Sequence, residues 1–207
     1  MTDVHSTVAA DPRRILHWFD LMCPFCYVGR QRNEIFAAHG LDVVHLPFQI
    51  HPEIPPRGIE AGRREGAMYT ALEQEAVRAG LTLDWPSRLP NTRMALAAVE
   101  WARLHRPDAV DRFIGALFAA HFALGEDLGH RATVDRHAVE AGIDLDALHG
   151  AFEDGSALRD LDQVEALGAE FGVRATPSWL VAGRLVSGLL PPERFEQLAD
   201  DAVGQLL

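Results

Sequence analysis

Cys23 and Cys26 are the only two cysteines in a chain of 207 residues, and they stand two residues apart in the stretch DLMCPFCYVG, residues 20–29. A pair at this spacing can be a redox couple, half of a zinc site, or two small apolar core residues. Pro24 suits the first position of a helix, because its missing N–H would be unpaired there and its φ is already helical. Cys23 then becomes the N-cap, with its sulfur facing the unpaired N–H groups and the positive end of the helix. A thiolate in that place is stabilised, and its pKa falls from about 8.5 toward roughly 3.5–7.5. Cys26 lies nearly one turn later on the same face. It can therefore resolve a mixed disulfide formed at Cys23, with Pro24 and Phe25 tuning the pair.

The elements around the pair must hold that geometry. RILHWF, residues 14–19, reads as a short buried strand, and residues 24–40 as a helix ended by Gly40. Residues 41–50, LDVVHLPFQI, read as a second strand, so the opening is a β-α-β unit with a parallel pair. PEIPPRG is a stiff loop, and a long helical stretch follows it. Helices are expected over 61–80, from an Asn91 or Thr92 cap with Met94, Ala98, Trp101 and His105 inward, and over 108–124. In the last of these Val110, Phe113, Ile114, Leu117, Phe118, His121 and Phe122 form one apolar stripe, in which His121 reads as a core histidine. Further helices are expected over 134–141, 145–152 and 157–171. A hairpin around Ala182-Gly183 and a terminal helix opened by proline complete the chain. The fold class is therefore α/β: a four-stranded mixed sheet split between residues 13–56 and 156–207, with an all-helical insertion over 57–155.

Composition narrows the function. Nineteen Lys and Arg against thirty Asp and Glu give a net charge of −11, which argues against a nucleic-acid surface. The first twenty residues hold no apolar leader, and the apolar run FIGALFAAHFALG is too short to span a bilayer. The expected compartment is the cytoplasm, where close cysteines are more often redox-active or metal-binding than structural. Zinc finds little support, since there is no second CxxC and no two of the ten histidines stand at i, i+3 or i+4. No metal or other cofactor is called for. The acidic residues Glu153, Asp154, Asp160, Asp162 and Glu165 read as a solvated helix face.

A second element bears on the cysteines. GVRATPS, residues 172–178, places Thr176-Pro177 directly before the first strand of the hairpin. A trans proline at a strand start and a cis bond both account for that position. If cis and beside the cysteines, it exposes the Thr176 backbone for pairing with an extended substrate.

With these residues in view, the chain resembles the DsbA-like family of thioredoxin-fold oxidoreductases, in particular its FrnE-like cytoplasmic branch. The resemblance rests on Asp20 with CPFCYVG, then FQIHPEIPPRG, NTRMALAAVEWA, LFAAHFALGEDL and GVRATPSWLV in that order, and runs through nearly the whole chain from about residue 14. It implies a cis Pro177 and dithiol–disulfide exchange at Cys23 and Cys26, with Pro24, Phe25, Thr176 and Pro177 contacting substrate. Two departures are visible. The branch usually carries tryptophan where Phe25 stands, and periplasmic relatives carry histidine there, which implies a less oxidising centre here. In thioredoxins an acid six residues before the first cysteine assists proton transfer; His17 occupies that place, as a relay or as an ordinary strand histidine.

The expected partner is a disulfide- or dithiol-containing protein or small molecule, with glutathione as a candidate reductant, no nucleic acid and no membrane; monomer and homodimer both stay open. Two alternatives remain. One is a glutathione-dependent kappa-class transferase or 2-hydroxychromene-2-carboxylate isomerase, although those typically have serine at the first cysteine's place. The other is a peptide-binding, chaperone-like module with Met68, Tyr69, Trp85 and Trp101 lining an apolar groove.

Overall fold

The computed structural model describes residues 11–206. Residues 1–10, part of the segment read as leaderless, and Leu207, the end of the stretch read as a terminal helix, lie outside them.

Strand β1 (Arg14–Phe19) is the centre of the molecule and is buried from Ile15 onward. It pairs in parallel with β2 (Asp42–Pro47), with His17 opposite His45. On its other side it pairs antiparallel with β5 (Ser178–Val181), which continues into β6 (Arg184–Ser187), so the sheet order is β2-β1-β5-β6. Strands from the two ends of the chain thus make one mixed sheet, as read from the sequence. The hairpin turns at Ala182 and Gly183, both with positive φ (47° and 75°). That is the twist a two-residue hairpin needs, and Gly183 supplies half of it without steric cost.

Between β1 and β2 the expected single helix is two: α1 (Pro24–Gly29) and α2 (Gln31–Ala38). The break falls at Gly29-Arg30, where the Asn33 N–H closes a tight bond back to the Arg30 carbonyl (3.0 Å). Gly29 is small for a reason of packing. A Cβ there would stand 3.3 Å from Leu189, 3.6 Å from Trp179 and 3.7 Å from Pro177, so its absence lets α1 sit down on the start of β5.

After β2 come α3 (Ala67–Arg78), α4 (Arg93–His105), α5 (Val110–Phe122), α6 (Arg131–Glu140), α7 (Leu145–Glu153) and α8 (Ser156–Glu170), with α9 (Pro192–Gly204) at the end. The α5 stripe is buried as expected from Phe113 to Phe122, with Val110 at its start half-buried. Helix α4 differs from its expected one-sided face: Ala95–Ala102 is buried on every side while His105 is exposed, because its alanines let neighbours approach all round. The expected helix over 61–80 starts only at Ala67. Ile59-Glu60 (β3) instead pairs with Arg88-Leu89 (β4), and Gly66 turns with φ 106° into the helix.

The acidic face of α8 is not simply solvated. Asp162 and Glu165 both pair with Arg93 at the start of α4, and Glu165 also accepts the Gln49 N–H (2.8 Å). Helix α8 lies so near the sheet that a Cβ on Gly168 would meet Trp18 and Phe48 at 2.9 Å. Gly168→Ala is therefore expected to cost about 1–3 kcal/mol through overpacking. Thermal unfolding would show it as a drop of about 2–4 °C per kcal/mol, without loss of the native helical signal.

Candidate active site

Cys23 stands in extended conformation (φ −83°, ψ 113°) where β1 hands over to α1, with Pro24 as the first helical residue. That is the predicted N-cap position. Its thiol makes no side-chain cap bond; the S–H instead donates to the Thr176 carbonyl at 3.3 Å. The Thr176-Pro177 bond is cis, as the resemblance implied, and Pro177 enters β5. Residues 153 positions apart in sequence thus meet at one sulfur. Cys26 is fully buried behind Cys23, which retains 9% exposure, and both thiols are free.

Burial acts on both sulfurs, yet they shift in opposite directions. For Cys23, burial pushes the thiol up, but the Cys26 side chain, Thr176 and the Cys26 N–H together pull it below the ordinary value. For Cys26, burial and then the neighbouring Cys23 push the thiol well above it. The front sulfur is the one placed to ionise, and the rear one holds its proton.

Asp20 controls this corner, a role that sequence reasoning missed although the residue was noted beside the motif. Its fully buried carboxylate accepts from the Met22 N–H (3.2 Å), the Thr92 hydroxyl (2.8 Å) and the Ile50 N–H (2.9 Å). Burial raises its pKa, and those three donors pull it back. The expected cap at Thr92 is thus spent on Asp20, while the Asn91 side chain accepts the Arg93 N–H (3.0 Å).

His17, the candidate relay, is buried among other partners. Its Nδ1 accepts from Asn33 Nδ2 (3.2 Å) and lies 3.1 Å from His45 Nδ1, and its ring stacks on Trp179 at 4.8 Å. Asn33 is oriented by the Trp179 indole N–H (2.8 Å). Burial, followed by His45 and Arg30, keeps His17 well below the usual imidazole value. No hydrogen bond links it to either cysteine among the described residues.

In front of Cys23 opens a cavity of about 380 Å³, reached also by Pro24, Phe25 and Thr176. Met68, Tyr69 and Trp85 line it as expected; Trp101 does not, being packed on His105 at 4.8 Å along α4. His121 proves to be both core and cavity wall: it is buried, its Nδ1 is 3.3 Å from the Glu126 carbonyl, and burial lowers its pKa to about 4. Among the described residues no group of three or more His, Cys, Asp or Glu could hold a metal ion, and no helix is long and apolar enough to cross a membrane.

A mixed four-stranded sheet with a CxxC pair at the first helix and a cis proline facing it defines a thioredoxin-fold protein of the thiol oxidoreductase class. The description "DSBA-like thioredoxin domain" matches residues 14–200, and the chain belongs to that family. Among solved structures, it is similar to a probable DsbA oxidoreductase from Streptomyces coelicolor, with 22% identity, TM-score 0.82, and 93% of this chain and 90% of the other covered. A 2-hydroxychromene-2-carboxylate isomerase matches with 17% identity and TM-score 0.73, over 93% and 95% of the two chains. The cytosolic disulfide reductase DsbM from Pseudomonas aeruginosa, solved with GSH, matches with 19% identity and TM-score 0.63, over 93% and 96%.

Opposite substitutions should move the front thiol in opposite directions. Cys26→Ala removes the largest downward influence on Cys23, so its titration, followed by thiolate absorbance or alkylation rate against pH, shifts upward. Asp20→Asn removes a negative charge that raises Cys23, so the titration shifts downward. It also sets an amide N–H against one of three donors, and denaturant unfolding should report a loss of about 1–3 kcal/mol.

Proposed function

We propose that the protein catalyses dithiol–disulfide exchange through Cys23 and Cys26. The observation that carries this reading is the Cys23 sulfur at the head of α1, bordering the cavity and donating to the Thr176 carbonyl, with the more deeply buried Cys26 behind it. The Cys23 thiolate attacks one sulfur of a substrate disulfide R–S–S–R′. A Cys23–S–S–R bond forms and R′S⁻ leaves. Cys26 then gives up its proton to the departing thiolate or to solvent and attacks the Cys23 sulfur. The Cys23–Cys26 bond forms, the mixed-disulfide S–S bond breaks, and RS⁻ leaves with that bond's electron pair, so the enzyme is left as the Cys23–Cys26 disulfide. Two electrons pass from enzyme dithiol to substrate disulfide; run backward, the sequence oxidises a dithiol.

Pro24 and Phe25 place no charge beside the sulfurs, so the thiolate is held by its hydrogen-bonding neighbours. Thr176 and Pro177 would present a substrate chain: the Thr176 carbonyl, which accepts the Cys23 S–H at 3.3 Å, is released when Cys23 loses its proton. A cytosolic setting with glutathione as reductant is part of the proposal, supported by the likeness to a cytosolic disulfide reductase solved with GSH. The likeness to the isomerase is one of fold, and retention of a second, buried thiol at Cys26 favours exchange over that reaction.

Titration against glutathione redox buffers tests the proposal. The expected result is a two-electron transition that is lost in Cys23→Ser, while Cys26→Ser accumulates a stable mixed disulfide on Cys23, visible by mass spectrometry. No disulfide at any accessible ratio would refute exchange and leave glutathione-dependent isomerisation as the better reading.

A further inference from the structure

The cavity before Cys23 has an electrostatic character that the chain as a whole lacks. The protein carries a net charge of −11, yet no Asp or Glu is among the described residues lining this space. Two arginines are: Arg64, from the segment before α3, and Arg174, two residues ahead of Thr176. Neither has an ion-pair partner among the described residues, whereas Arg30, Arg32, Arg78, Arg93, Arg103, Arg106 and Arg136 all do.

Arg64 is the more telling of the two. It is half-buried, with its guanidinium 5.0 Å above the Trp85 ring, and burial lowers its pKa. A desolvated cation normally sits beside a carboxylate, because removing it from water is costly unless it is paired. Glu73 is engaged by Trp85 instead: its carboxylate accepts the indole N–H at 2.8 Å. Trp85 is in turn braced edge-on by Tyr69, with ring centroids 5.3 Å apart. The aromatic pair therefore holds a cation over a mostly apolar floor that includes Met22, Phe25 and Phe122.

We infer that this cavity is a specificity site for small disulfides or thiols carrying a carboxylate on an apolar or aromatic body, with Arg64 and Arg174 receiving the carboxylate while the sulfur lies at Cys23. This rests on the exchange reaction proposed above and assigns its substrate class. Guanidinium–carboxylate bonds, made where water is partly excluded, favour such a ligand over a neutral one of equal size. The general negative charge of the protein works against any anion, so selection for one has to come from this local pair.

The test is the rate at which reduced protein reacts with two aromatic disulfides, the dianionic 5,5′-dithiobis(2-nitrobenzoate) and the neutral 4,4′-dithiodipyridine. The readout is the ratio of the two second-order rate constants. In the double variant Arg64→Gln/Arg174→Gln the ratio is expected to fall about tenfold relative to the unsubstituted protein, with Arg64 contributing the larger part. Arg64→Lys, which keeps the charge, should restore part of it. A ratio unchanged by the double variant overturns the assignment even if both probes react well. A protein that reacts with neither probe, or as well after Cys23→Ser, overturns the exchange reading itself, and the assignment with it. Far-ultraviolet dichroism of each variant confirms that a lost ratio is not lost folding.

Discussion

The geometry of the site depends on one buried carboxylate. Asp20 collects three donors from three parts of the chain: the turn into the cysteines, the segment after β2, and the start of α4. None of these is held there by the sheet itself. Without a shared acceptor each donor would be buried and unpaired, which costs more than the bonds themselves contribute. One charge thereby fixes the distance from the end of β1 to the helical layer. That distance decides whether the cavity has a floor and whether the Cys23 sulfur meets the Thr176 backbone.

Given that frame, the two thiols separate without any cation beside them. Both are desolvated, and desolvation alone would keep both protonated. The difference comes from hydrogen-bond direction. Cys23 is pulled down by the Cys26 side chain, Thr176 and the Cys26 N–H, while at Cys26 the Asp20 backbone and Thr176 offset only part of the upward push from burial and from Cys23. In the exchange proposed above, this difference would set the order, front thiol first and rear thiol second, between two chemically identical groups.

Much of this was legible in the sequence because it is local. CxxC spacing, a proline at the first helical position, the apolar run of RILHWF and the α5 stripe each sit within one element, and the structure matches them. What was hidden is what depends on distant partners. Strands β3 and β4 are two residues long and carry no periodicity. Helix α4 shows no single face because alanines let it be surrounded. Nothing in its local context marked Arg93, and the α8 acids read as a solvated row, until folding set them against one another. Arg64 and Arg174 stand 110 positions apart on either side of the helical layer, and nothing in either local context marks them as neighbours of one cavity. The break between α1 and α2 was hidden likewise, since only the approach of Pro177 and Trp179 shows why Gly29 has to be small.

The register of β1 on β2 has a consequence beyond the redox centre. It lays His17 beside His45 at mid-length of the pairing between β1 and the edge strand β2, with Nδ1 atoms 3.1 Å apart. Burial is the main cause that holds both rings neutral, His45 down to about 4 and His17 well below its usual value. Unfolded, each ring would take up a proton near pH 6.5; folded, neither does. Stability from this pair is therefore complete above about pH 6.5 and is lost as the pH falls from there toward about 4 and beyond. The raised carboxyls of Asp20, Glu100 and Glu165 act in the opposite sense. The seam between β1 and the edge strand β2 is thus the acid-sensitive joint of the sheet, and acidification would act on the hold of β2 rather than on the antiparallel pairing of β1 with β5.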